Sequence, residues 1–124
     1  MTWYGIHAVE MLYTLFGAGC KEVSRMSSPD EDVITARWND GKLGTIHLQR
    51  PYGKFGAVVF LKDQKLNAMP EIQFSYVPLV AEIVGFMQTK SAPVPNAVTL
   101  EMFAFMDAAQ RSLQQGGKAI SLSK

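Results

Sequence analysis

Two β-rich runs, DVITARWN at 32–39 and KLGTIHLQR at 42–50, flank the dipeptide Asp40-Gly41. Asp-Gly between such runs is a strong hairpin signal, because the tight turn needs a positive φ that glycine supplies without strain. A hairpin here commits the chain to an antiparallel sheet. Alternation then sorts the side chains: Ile34, Ala36 and Trp38 join Gly44, Ile46 and Leu48 on one oily face. Val33, Thr35, Arg37, Thr45, His47 and Gln49 fall on the other, which is mixed.

Helices bracket this hairpin. IHAVEMLYTLF at 6–16 places Ile6, Val9, Leu12 and Leu15 at helical spacing, with Phe16 widening the stripe. Gly17-Ala18-Gly19 ends it, since glycine accepts the left-handed conformation of a helix C-terminus. KEVSRMS at 21–27 alternates loosely as a strand, and Pro29-Asp30-Glu31 marks a turn. FGAVVFLK at 55–62 predicts a further strand, and its near-continuous apolarity predicts cover on both faces. Residues 63–75 read as a loop or short edge strand. From Pro78, LVAEIVGFMQT resumes helical spacing through Leu79, Ile83, Phe86 and Met87. Two prolines interrupt SAPVPN, and Asn96 is the expected N-cap of a last helix over 97–115. Its expected buried stripe is Leu100, Phe103, Met106 and Leu113, with Met102, Phe105 and Ala109 alongside. Gly116-Gly117 stops it, and AISL adds a short edge strand.

Helix, antiparallel strands, then two helices define an α+β layer fold: an open, predominantly antiparallel sheet with helices on one face. The other face is expected to be free for dimerisation. The 124 residues fit one domain, 1–124, and are too few for a dinucleotide-binding domain plus a substrate domain. Twelve basic against eleven acidic residues give a net charge of +1, which advertises neither a nucleic-acid nor an anionic-membrane surface. No secretory segment or 18-residue apolar span appears, which predicts a soluble, cytoplasmic protein. Cys20, the single cysteine, excludes an internal disulfide, and His7 and His47 announce no third metal ligand.

Among candidate chemical groups His7 comes first. It lies in the first turn of the first helix, with Glu10 one turn ahead on roughly the same face. A helix N-terminus disfavours the imidazolium, so a neutral ring is expected there, able to accept a proton from a hydroxyl losing hydride. Glu10 either orients the ring or binds substrate hydroxyls. A capping or packing histidine is the commoner outcome for such spacing alone. His47 reads as a surface or interface residue, and Cys20 as a buried or half-buried loop thiol. Arg25, Arg37 and Arg50 are candidate clamps for a carboxylate or phosphate, with solvated or paired arginines as the default. Gly53 and Gly56 open no helix, and Gly17 and Gly19 follow one, so neither pair forms a dinucleotide fingerprint.

YGIHAVEMLYTLFGAGCKEVSR at 4–25 closely resembles the C-terminal domain of the glucose-fructose oxidoreductase, inositol dehydrogenase and MocA family. The resemblance continues through DVITARWNDGKLGTIHLQR and the closing segment PLVAEIVGFMQTKSAPVPNAVTLEMFAFMDAAQRSLQQGGKAISL. It implies an NAD(P)-dependent sugar or polyol oxidoreductase in which His7 falls on the histidine that exchanges the substrate proton. Trp3 stands where the family carries an aspartate, at the substrate end of the cleft, and Glu10 falls on a common acidic position. The expectation is therefore His7 as catalytic residue, with Glu10 and Trp3 binding substrate. The resemblance covers the substrate and oligomerisation domain only. NAD or NADP is implied for the whole enzyme and none for this chain alone. The implied partners are a second copy through the open sheet face, a nucleotide-binding domain in cis or trans, and a small sugar or polyol. The alternative is a stand-alone binding or scaffold protein that keeps fold and dimer without redox activity.

Overall fold

The expected hairpin forms the centre of a four-stranded sheet. A computed structural model describes residues 5–51, 53–63, 65–72 and 75–122. Its elements run α1 (Gly5–Phe16), β1 (Cys20–Ser27), β2 (Glu31–Trp38), β3 (Leu43–Gln49), β4 (Ala57–Phe60), β5 (Leu66–Met69), α2 (Val77–Thr89), α3 (Asn96–Gln114) and β6 (Ile120–Ser121). The main sheet has the order β3-β2-β1-β6, every pair antiparallel. Gly41 takes φ +86° in the hairpin turn, where the Trp38 amide donates to the Lys42 carbonyl. Glycine meets that angle at no steric cost.

The chain divides into two compact units, 1–52 with 95–124, and 53–94. In the first, α1 and α3 pack on one face of the sheet. The buried face is the one alternation assigns: Ile34, Ala36, Trp38, Gly44 and Ile46 are all buried, with Leu48 packed against them. On the opposite face Thr35, Arg37, Thr45, His47 and Gln49 are exposed, and Val33 is half-buried. This is an open-sheet α+β fold.

Gly44 explains why α1 can lie so close to β3. A Cβ there would sit 2.6 Å from Leu12 Cδ1 and 3.2 Å from Phe16 Cε2. The helix C-terminus closes over Trp38, whose indole N–H donates to the Gly17 carbonyl at 2.9 Å. Edge-to-face contacts of Trp38 with Phe16 and Tyr13, and of Tyr13 with Phe105, complete the aromatic centre.

Both helices in this unit bury part of the expected stripe and turn part of it outward. On α1 the buried residues include Val9, Leu12 and Tyr13, whereas Leu15 is exposed. On α3 they are Met102, Phe105, Ala108, Ala109 and Ser112, and the expected Leu100 and Phe103 point outward. Met102, Phe105 and Ala109, expected beside the main stripe, form its buried centre, and Ala108 and Ser112 join them where small side chains let α3 approach the sheet closely. Asn96 is also not the N-cap. Pro95 occupies that place in extended conformation, and its carbonyl accepts from the Val98 and Thr99 amides.

In the second unit β4 and β5 pair as a separate two-stranded sheet, Ala57 opposite Met69 and Phe60 opposite Leu66. The strand within 55–62 is shorter than its apolar run, and it is not covered on both faces. Val58 and Phe60 are exposed while Ala57 and Val59 are half-buried, so the strand alternates. Gly56 permits the return of the chain: a Cβ there would meet the Met69 and Pro70 carbonyl oxygens at 2.9 Å. Helix α2 begins with proline in its first turn, as φ-restricted proline favours, and buries none of its residues.

Candidate functional site

The first turns of α1 bring together two of the three expected site residues. His7 Nδ1 and Glu10 Oε2 are 3.0 Å apart, the geometry of an i,i+3 pair on one helix face. A carboxylate accepts the Nδ1 proton of a neutral ring, and that tautomer carries its lone pair on Nε2. Both side chains are half exposed, at 50% and 51%. Trp3 lies outside the described residues.

The shallow depression on the described surface is lined by Ser28, Asp30, Glu31, Gln49 and Arg50, at the far end of the hairpin strands. Its arginine is engaged: Arg50 donates to the Ser28 carbonyl and is ion-paired with Asp32.

Burial instead concentrates polar chemistry at two places, centred on carboxylates, Asp32 and Glu101, that the sequence reading did not single out. The first is an ionic cluster on the helical face of the sheet. Arg25 Nη2 lies 3.1 Å from Asp32 Oδ2, with Arg25 only 4% exposed. Arg50 reaches the same carboxylate, and Arg25 Nη1 donates to Gln110 Oε1 on α3. Ser112 Oγ accepts from the Arg25 amide at 2.9 Å, so strand and helix are joined through backbone as well. Burial alone would raise the Asp32 pKa. Hydrogen bonds from Ser27 and Arg25, the Arg25 charge and the Arg50 contact outweigh it and hold the carboxyl below its ordinary range. The expected anion clamps are thus paired internally, Arg37 with Glu22 on the open face included.

The second is Glu101. Its Oε1 accepts from the Gly19 amide at 2.7 Å, the Cys20 amide at 2.8 Å and the Tyr13 hydroxyl at 3.1 Å. One carboxylate oxygen on α3 therefore satisfies the amides of the turn between α1 and β1. Cys20, buried at the start of β1, is not activated by Lys21. Burial and the Glu101 charge push its thiol up to about 12, and burial likewise raises the Tyr13 phenol. A thiol so placed is a packing group rather than a nucleophile. Asp32 and Glu101 themselves carry only a weak signal in the sequence, a charged residue at the head of a strand and one within LEMF.

His47 takes the surface position expected for it, with Nδ1 3.7 Å from Glu31 Oε2. Among the described residues no group of three or more His, Cys, Asp or Glu side chains converges as a metal site, and no helix is long and apolar enough to cross a membrane. Comparison with protein-family models, curated proteins and solved structures returns no match.

Proposed function

We propose that the chain is the substrate-binding and oligomerisation domain of an NAD(P)-dependent sugar or polyol oxidoreductase. The 3.0 Å contact between His7 and Glu10 carries this reading. Glu10 sets the tautomer and holds the ring, and His7 Nε2 takes the proton from a substrate hydroxyl or returns it. The described residues do not fit a dinucleotide, because no glycine-rich turn opens a helix as a pyrophosphate site requires. The cofactor would be held by a separate nucleotide-binding domain, in cis or in trans, and no step here runs through it. The solvent-facing sheet surface, where Val33, Thr35 and Thr45 lie between paired charges, supports association with a second copy.

One observation favours a second reading, a stand-alone binding or scaffold protein without redox activity. The described side chains of the His7–Glu10 pair are half exposed, whereas proton transfer during hydride chemistry is helped by exclusion of water. Calorimetric titration with a panel of hexoses and inositols separates the two. A substrate domain binds at least one of them, and His7→Ala weakens it about tenfold, equivalent to ~1.4 kcal/mol. Absence of binding across the panel, or binding indifferent to His7, favours the second reading.

A further inference from the structure

Asp40 is the one aspartate or asparagine in the sequence that precedes a glycine. In an open chain that pairing is chemically labile. The glycine nitrogen, unhindered by a side chain on its own α-carbon, attacks Cγ of the aspartic acid and gives up its proton, and the carboxyl hydroxyl leaves as water. Addition of water to the resulting succinimide at Cγ restores aspartate. Addition at the Asp40 main-chain carbonyl leaves isoaspartate, with the backbone running through Cβ and one carbon longer.

We propose that Asp40 is a latent isoaspartate site, closed in the folded hairpin because the Gly41 nitrogen that must attack is committed to the turn. The Gly41 amide donates to the Trp38 carbonyl at 3.0 Å and so closes a β-turn around Asn39 and Asp40. Gly41, at φ +86°, completes the three-residue hairpin loop as its bulge residue. Succinimide formation consumes that N–H, so the turn must open first. The electrophile is turned away as well. Asp40 Oδ1 accepts from the Lys42 amide at 3.2 Å and Oδ2 lies 2.5 Å from Lys42 Nζ, which aims the carboxylate two residues on rather than at Gly41. Those contacts hold the carboxyl below its ordinary range, in the ionised form that is the poorer electrophile. A second anchor comes from the α1–β1 turn: the Asn39 amide donates to the Gly19 carbonyl at 2.9 Å, and the Gly19 amide to Glu101. All these groups belong to the unit of residues 1–52 with 95–124. A chain that isomerises while open gains a backbone carbon between β2 and β3, and cannot rebuild the Trp38–Gly41 turn unchanged. The modification therefore marks chains whose hairpin has stood open.

The test incubates the full chain at neutral pH, folded in buffer and unfolded in guanidinium chloride. Electron-transfer dissociation mass spectrometry, which separates aspartate from isoaspartate, follows residue 40. Isoaspartate should accumulate there in the unfolded chain, and at least about tenfold more slowly in the folded one, in proportion to the open fraction of the hairpin. Asp63 is the internal control. Its carboxylate makes the same two contacts, with Lys65, but Gln64 follows it in sequence, so it should remain aspartate in both samples. Equal rates at residue 40 in the two states overturn the proposal, and so does an unfolded chain in which residue 40 stays aspartate. Asp40→Asn separates the turn from the charge, since an amide reacts by the same attack with loss of ammonia and forms no ion pair with Lys42. Its deamidation should also be at least about tenfold slower folded than unfolded. Deamidation equally fast in both states, beside a protected Asp40, overturns the role of the Gly41 N–H and assigns the protection to the Lys42 contacts.

Discussion

Asp32 is the residue on which most of the buried charge depends. Two guanidinium groups converge on its carboxylate, and that of Arg25, 4% exposed, cannot recover water if the acid is lost, whereas Arg50 is one-third exposed. Breaking such a pair from one side costs far more than the pair contributes in place. Asp32→Asn is therefore expected to destabilise the fold by about 3–5 kcal/mol in urea denaturation at neutral pH. Asp40→Asn, in the exposed hairpin turn with Lys42, should leave the midpoint unchanged. The pH dependence has a definite sign. A carboxyl whose folded pKa lies below its unfolded value, near ~3.9, stabilises above that value and loses its contribution as pH falls through the folded pKa. Stability should hold from pH 7 to about pH 5 and decline below pH ~4, and the Asp32→Asn variant should lack that part of the decline. Glu101 plays the corresponding part at the α1–β1 turn. Its replacement by alanine strands two amides and a hydroxyl, for an expected loss of about 1–3 kcal/mol. A chemical readout accompanies it: removal of that charge from beside Cys20 should quicken alkylation of the thiol at fixed pH.

At the level of elements, legibility followed how local the determining physics is. The hairpin is set by a glycine and by strict alternation, and strands β2 and β3 carry the faces those rules assign. Helix ends marked by Gly17 and by Gly116-Gly117 stand where their positive φ angles put them. Helix rotation is different, because it depends on which residues fit against another element rather than on which are largest. Leu100 and Phe103 outrank Ala108, Ala109 and Ser112 on any hydrophobicity scale, yet the small residues face the sheet. The spacing of His7 and Glu10 was readable, since both lie on one helix face; the Arg25–Asp32–Arg50 cluster was not, since its members come from β1, β2 and the residue after β3. Gly44 gives the direct measure of this packing. Gly44→Val must push Leu12 and Phe16 off the sheet, and should cost about 1–3 kcal/mol by denaturant unfolding. Adding Leu12→Ala to Gly44→Val should recover part of the loss, because the truncated side chain vacates the space the valine needs.

For the whole molecule, the division into two units predicts unequal protection. In residues 1–52 with 95–124, Val9, Val23, Ile34, Phe105 and Ala109 are fully inaccessible, and their backbones lie in paired strands or under packed helices. Opening that core requires separating α1 and α3 from the sheet at once, so its amides exchange only through global unfolding. Residues 53–94 have no comparable interior: α2 buries nothing, and β5 is exposed along its length. Amide hydrogen exchange should therefore show Val23, Ile34 and Ala36 as the slowest sites, sharing one opening free energy. Val59 and Asn67, opposite each other in β4–β5, should exchange faster by several orders of magnitude at low protein concentration. Association through the open face of the sheet would slow Val23 and Ile34 further as protein concentration rises, because mass action stabilises what the interface covers.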